Sequence, residues 1–227
     1  MPNATIYSVL EQAKLQWSNN PAIYDELGTV TFAELYDESE KLKNQLLERG
    51  IGPGQVVGMM ARNGRLFIIG IFAVIGTGAC VMPMSHQLKE DEIEDNIIQA
   101  RLNFVLDDLS GLDPLGSTDF ISLTSGEIRV AKTTISSNEP FAPHVKNPAF
   151  MRFTSGTTGA AKGVIISHQS AFERIEGANK ALNLGPGDTV VWVLPIAYHF
   201  VVSILLYVRF GAAIAITKDF LPQSIIE

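Results

Sequence analysis

An α/β fold, with a mostly parallel sheet flanked by helices, is predicted by three features of the sequence. Helical and strand-like periodicities alternate along most of the 227 residues, with no long antiparallel run. Two long apolar zones, residues 66–84 and 190–216, are each interrupted: Gly76, Gly78 and Pro83 break the first, and Pro195, His199, Arg209 and Gly211 the second. Such zones read as a buried helix, a turn and a buried strand, as the central layers of an α/β fold require, although the first is long enough to meet the rule of thumb for a membrane span. Hydrophobic residues make up 46% of the chain, which supports a folded core and one or two domains.

Each element follows from local signals. Residues 7–16 form a short amphipathic helix. Residues 22–24 and Val30 suit short strands around an Asp-Glu-Leu-Gly turn. Thr31 with Glu34 three residues on is a capping-box signature for a helix running to about Glu48. Leu35, Leu42, Leu46 and Leu47 fall roughly on one face of that helix, and Gly50 stops it. Residues 55–60 form a strand, 65–75 a buried helix and 79–82 a strand. Residues 89–99 form a helix whose Glu90, Asp91, Glu94 and Asp95 make a solvated acidic face. A strand at 103–106 ends in Asp107 and Asp108, which turn chemistry explains. Short strands follow at 120–123 and 128–130. A polar, Pro-containing connection then makes residues 132–148 the expected subdomain boundary. Strands at 149–153 and 163–167 precede a helix capped by Ser167 or Ser170, the latter completing a capping box with Glu173. A strand at 189–194, a helix at 200–209 and a strand at 212–216 complete the pattern.

Composition narrows the function. Seventeen Lys and Arg against 24 Asp and Glu give a formal net charge of -7, which argues against a nucleic-acid partner. The single cysteine, Cys80, excludes an intramolecular disulfide and lies in an expected buried strand, where an inert thiol is the default. With no basic segment followed by an apolar core at the N-terminus, a cytoplasmic protein without a membrane span is expected. His86, His144 and His168 are scattered with no metal-ligand spacing, and no GxSxG elbow occurs.

One segment carries recognisable chemistry: FTSGTTGAAKG, Phe153–Gly163. Gly156 and Gly159 let backbone N–H groups approach a ligand closely, and Thr154, Ser155, Thr157 and Thr158 add hydroxyl donors. Lys162, followed by Gly163, adds a point charge suited to phosphate. A Ser/Thr/Gly turn with a solvated lysine is the bland alternative. The order of residues is neither the GxxxxGK[ST] loop nor a dinucleotide fingerprint.

The segment resembles the phosphate loop of the adenylate-forming superfamily, which includes acyl-CoA and aryl-CoA synthetases, adenylation domains of peptide synthetases and beetle luciferases. The family pattern is an aromatic residue, Thr-Ser-Gly-Ser/Thr-Thr-Gly, any residue, Pro-Lys-Gly. It matches at Phe153–Gly159, Lys162 and Gly163, and departs at Ala161, where proline is usual. Residues 30–63 resemble the family's N-terminal helix and first strand, and 78–84 its next strand. LPIAYHF, residues 194–200, resembles the segment that places an aromatic residue or histidine beside the acyl pocket. His199 is the candidate for that role, one residue later after the proline than in many members; the alternative is a half-buried histidine packing on Trp192 or Tyr198.

What the resemblance implies is ATP-dependent activation of a carboxylic acid to an acyl-adenylate, then transfer to coenzyme A or a carrier-protein pantetheine. Mg²⁺ would offset the phosphate charge, and residues 154–159, 162 and 163 would hold the phosphates. Amino-acid-activating members carry a Phe-Asp element where this chain has Tyr198, His199 and Phe200, so an aliphatic or aryl acid is expected. The family's later Thr-Glu motif, its ribose aspartate and the small domain with the catalytic lysine have no match after Ala212. The chain is therefore expected to be a partial N-terminal domain, inactive alone, with apolar surface that favours self-association. The alternative is a non-catalytic nucleotide- or partner-binding module. ATP–pyrophosphate exchange separates the two: activity is expected from a protein carrying the later motifs and none from the 227-residue chain, and exchange by this chain alone would show those motifs to be dispensable.

Overall fold

The computed structural model describes residues 5–113, 115–135, 142, 144–154 and 162–217, with backbone alone at Thr154 and Lys162. The expected boundary at 132–148 therefore falls largely outside the described residues. In chain order the elements are α1 (Tyr7–Trp17), β1 (Pro21–Asp25), β2 (Gly28–Thr31), α2 (Phe32–Glu48), β3 (Val56–Ala61), α3 (Arg65–Gly76), β4 (Cys80–Ser85), α4 (Glu90–Ala100) and β5 (Phe104–Asp107). There follow β6 (Phe120–Leu123), β7 (Gly126–Lys132), β8 (Pro148–Thr154), β9 (Lys162–Ser167), α5 (His168–Leu182), β10 (Thr189–Trp192), α6 (Ile196–His199), a π turn (Phe200–Ile204), α7 (Leu205–Phe210) and β11 (Ala213–Ile216).

The strands form two sheets rather than one. The smaller has the order β10-β11-β1-β2 and the larger β6-β7-β5-β3-β4-β8-β9. The centre of each is parallel, with β3 between β4 and β5, and β11 between β10 and β1. Antiparallel hairpins finish the edges: β1–β2 in the smaller sheet, β6–β7 and β8–β9 in the larger. The fold class stands, with mixed sheets in place of one mostly parallel sheet.

The larger sheet is buried on both faces, and β3 shows why. Every residue of β3 is buried. Val57, Met59 and Ala61 join one core cluster with the α3 side chains, whereas Val56 and Met60 join a second with Ile93, Ile97 and Ala100 of α4. This is the period-two alternation of a strand covered on both sides. Helix α3 lies so close to β3 that a Cβ at Gly70 would meet Met59 at 2.5 Å, which explains the glycine. Helix α2 packs on β1, β2 and β6, and α7 on β11, so helices join the two sheets in one continuous core. Among the described residues no helix is long and apolar enough to cross a membrane.

Local signals succeed where their partners are near in sequence. The capping box at Thr31 is formed in both directions: Thr31 Oγ1 accepts from Glu34 N–H at 3.2 Å, and Glu34 Oε2 accepts from Thr31 N–H at 2.8 Å. The Thr31 N–H, then its hydroxyl, holds the Glu34 carboxyl below its ordinary value. Leu35, Leu42 and Leu46 are fully buried, but Leu47 is 45% exposed, because one further residue turns it about 100° away from the core. Ser167, and not Ser170, caps α5, accepting from Ser170 N–H at 3.1 Å; Glu173 instead accepts from Gln169 at 2.8 Å. The acidic face of α4 is exposed and Cys80 is buried, with burial pushing its thiol up, as expected.

One half-buried histidine ties the start of the chain to α5. His168 Nδ1 accepts a hydrogen bond from Ile6 N–H at 3.0 Å, and burial lowers its pKa from 6.5. The unfolded chain therefore takes up a proton near pH 6.5 that the folded state refuses, and stability present above that pH is lost as pH falls toward the folded value. Urea midpoints are expected to fall between about pH 7 and about pH 5.5. His168→Gln, which keeps an acceptor but cannot titrate, should flatten that interval.

Candidate functional site

The topology directs attention to one end of the molecule. β3 leaves the sheet to α3 on one face, and β4 leaves to α4 on the other, so a crevice opens between their carboxyl ends, the usual ligand position in such sheets. A cleft of about 570 Å³ lies there. Its floor comes from residues that follow the larger sheet's strands: Ala61–Phe67 after β3, Ser85–Gln87 after β4 and Asp108 after β5. Its opposite wall comes from the smaller sheet: the β1–β2 turn at Asp25–Leu27, Val193 and Pro195 after β10, and Ile216 and Thr217 at the end of β11.

The glycine- and hydroxyl-rich segment belongs to the same end. β8 runs parallel to β4 with Val81 opposite Phe150, and carrying that register forward brings Thr154 level with Ser85, which lines the cleft. The β8–β9 hairpin pairs Phe153 with Gly163 and Thr154 with Lys162. Ser155, Gly156, Thr157, Thr158 and Gly159 lie outside the described residues, as do the side chains of Thr154 and Lys162. Gly163 sits against Phe153, where an added Cβ would come within 3.2 Å of the ring. The donor set, four hydroxyls, two glycines and a lysine, suits phosphate oxygens.

Charges inside the cleft are mostly committed to one another. Arg65 and Asp25, with side chains only 11% and 6% exposed, form a buried ion pair across the two sheets. Arg65 Nε lies 2.9 Å from Asp25 Oδ2, the Arg65 backbone N–H donates to the same oxygen at 3.2 Å, Nη2 also reaches Asp25, and Nη2 donates to Gly28 C=O at 2.7 Å. Arg62 is held more loosely, 3.7 Å from both Glu26 and Asp108. Asp107 and Asp108 do serve the turn: Asp107 accepts from Leu109 N–H and Asp108 from Ser110 N–H. Burial raises the Asp107 pKa against the opposing pull of Arg129. The turn reading of Asp108 missed its second place in the cleft, because Arg62 is 46 residues away.

A smaller hollow of about 40 Å³ adjoins the cleft, bounded by Phe150, Arg152, Ile166, Arg174, Val201 and Val202 among others. Ala197 and Tyr198 line both spaces and form the partition. Among the described residues no aspartate or glutamate lines the hollow, whereas two arginines do. Arg152 Nε is buried with no partner among the described residues. His199 lines neither space. Its ring packs edge-on against Trp192, with centroids 5.7 Å apart, and Tyr198, one residue earlier, borders the cavities. Asn63 and Tyr198 are site residues that sequence reasoning missed. Tyr198 had a signal, its place in LPIAYHF, but Asn63 had none beyond standing where β3 meets α3.

Among known families, a family model described as AMP-binding enzyme matches residues 10–226. Gramicidin S synthase 2 of Brevibacillus brevis is 28% identical over 219 residues, covering 96% of this chain and 5% of that protein. Zwittermicin A synthase ZmaJ of Bacillus cereus is 26% identical over 236 residues, covering 98% of this chain and 43% of that protein. The chain thus spans less than half the length of these curated relatives. The inhibitor-bound N-terminal domain of FACL13 from Mycobacterium tuberculosis superposes with a TM-score of 0.79 at 19% identity, over 98% of this chain and 59% of that one. The Klebsiella oxytoca NpsA N-terminal subdomain in complex with 3-hydroxybenzoyl-AMSN gives 0.75 at 18%, over 99% and 56%. At such identities the structures show a shared fold.

The two cleft arginines should separate in a stability experiment. Arg65→Ala leaves the Asp25 carboxylate buried and unpaired and is expected to cost about 3–5 kcal/mol. Arg62→Ala removes an exposed guanidinium 3.7 Å from its partners and should cost less than about 1 kcal/mol, because the buried Asp108 carboxylate keeps its bonds from the Arg62 and Ser110 backbone N–H groups. Urea titration of both variants measures the difference.

Proposed function

Because this chain belongs to the AMP-binding enzyme family, whose members activate carboxylates, we propose that it contributes the phosphate loop and part of the acid pocket to an enzyme that joins ATP to a carboxylic acid without an amino group. The acid's carboxylate attacks the α-phosphorus, pyrophosphate departs and an acyl-adenylate forms. The sulfur of a thiol, either coenzyme A or a carrier-protein pantetheine, then attacks the acyl carbon, the acyl–phosphate bond breaks and AMP departs as the thioester forms. Holding two anions in line is mainly a matter of positioning and charge neutralisation.

The residues take these roles. Thr154, Ser155, Gly156, Thr157, Thr158, Gly159, Lys162 and Gly163 hold the β- and γ-phosphates, and Mg²⁺ carried with the nucleotide offsets their charge. The cleft beside Thr154 receives the reacting groups and most of the acid, and the hollow behind Tyr198 takes only the far end of the acid. His199, packed on Trp192, lies behind the Pro195–Tyr198 corner and does not line the acid site itself.

One observation carries the choice of acid. Among the described residues the hollow has two arginines and no carboxylate, so none of these pairs with a substrate ammonium, and Arg152 would repel one. The unpartnered Arg152 Nε instead calls for an acceptor on the ligand. The aryl group named in the NpsA complex is consistent with an aryl acid.

Calorimetric titration of the chain with benzoate, octanoate, phenylalanine and leucine in the presence of MgATP tests the reading. The two simple acids are expected to bind at least about tenfold more tightly than the amino acids, a difference of about 1.4 kcal/mol. Arg152→Glu should narrow or reverse that preference. An amino acid preferred by the unaltered chain would refute the assignment.

A further inference from the structure

The corner that carries Tyr198 is held in place from the other sheet. Asn63 stands just after β3, and its side-chain amide bonds to two backbone groups far along the chain. Nδ2 donates to Leu194 C=O at 2.8 Å, and Oδ1 accepts from Ile196 N–H at 2.8 Å. The local need is plain. Pro195, between those residues, has no N–H to offer. Ile196 opens α6, and Pro195 gives it no side-chain cap, so the first N–H of the helical stretch would otherwise lack a partner. Arg152 holds the next point, its Nη1 donating to Tyr198 C=O at 3.2 Å. The corner follows β10 of the smaller sheet, yet Asn63 and Arg152 both belong to the larger one.

We propose that Asn63 is a positioning residue for the acid, fixing the Leu194–Ile196 corner across the cleft and through it the place of Tyr198 against the hollow. This rests on the reading of the hollow as the acid site. A carbonyl and an N–H side by side demand a donor and an acceptor on one rigid group, which a neutral primary amide supplies. Ionised aspartate has no donor and would set an oxygen against Leu194 C=O. Alanine leaves both backbone groups without their partner.

Trp192 reports the corner, being two residues before Leu194, only 6% exposed and packed on His199 and Tyr207. The chain has two tryptophans, so Trp17→Phe makes Trp192 the sole indole. In that background, acrylamide quenching of Trp192 should rise several-fold in both Asn63→Ala and Asn63→Asp at about pH 7.5. Lowering the pH to about 4.5 should restore protection in Asn63→Asp alone, because the facing Leu194 C=O favours the neutral carboxyl and holds it above the ordinary aspartate value, and a protonated carboxyl again donates and accepts. Each variant is compared with the unaltered chain at the same pH. Asp25, Glu26, Arg62, Arg65, His86 and Asp108 line the same cleft, and His199 lies against the indole.

A second measurement reads the acid. Benzoate or octanoate affinity should fall about tenfold in Asn63→Ala, of the order of one or two lost hydrogen bonds, while MgATP affinity stays within about twofold. Unchanged quenching in both variants, no recovery of Asn63→Asp in acid, or a MgATP affinity that falls in step with acid affinity overturns the proposal. Loss of protection with acid rescue, in a chain that binds none of the acids, supports the clamp and overturns the reading of the hollow instead.

Discussion

The buried pair of Asp25 and Arg65 is the constraint on which the cleft depends. It joins the end of β1 in one sheet to the start of α3 beneath the other, at the level where the strands of both sheets finish. It also solves a capping problem. α3 is almost wholly apolar and is preceded by Gly64, which offers no side chain, so its first N–H bonds to Asp25 instead. A carboxylate at that position also suits the positive end of the helix dipole. Such a pair contributes little net stability compared with apolar packing, but it tolerates one arrangement of the two sheets and penalises others. The clamp by Asn63 on the first turn after Pro195 repeats the device two residues earlier and in the opposite direction. Helices that lack caps of their own are thus capped by the sheet across the cleft.

What can be read from a sequence depends on how far apart the partners stand. The capping box of Thr31 and Glu34 was legible because both residues fall within one turn. The division of each apolar zone into helix, turn and strand was legible because glycine and proline mark it directly. The existence of two sheets was not, because β1 pairs with β11 from the far end of the chain, and no local pattern encodes that partner. Leu47 shows the limit inside one helix: a leucine beside a buried leucine looks equally apolar, and only the 100° turn between them decides which meets water.

The site divides in the same way. The proposed phosphate loop announces itself by the order of its residue types, which is a purely local property. The proposed acid side is assembled from β3, β4, β8 and the segment after β10, and its members are ordinary residues one by one. Asn63 in a turn and Arg152 on a strand acquire meaning only when a distance is attached. His199 drew attention because LPIAYHF resembles a segment that places an aromatic residue or histidine beside the acyl pocket, whereas it is the neighbouring Tyr198 that lines both cavities.

The π turn at Phe200–Ile204 has a consequence for how spacing is counted along this segment. It carries one residue more than an α-helix would over the same rise. Residues on its N-terminal side are rotated by about 100° against α7 relative to an uninterrupted helix. Helical spacing through this segment therefore changes phase at the π turn: counted back from Gly211 it places one set of residues on a given face, and counted forward from Pro195 it places another.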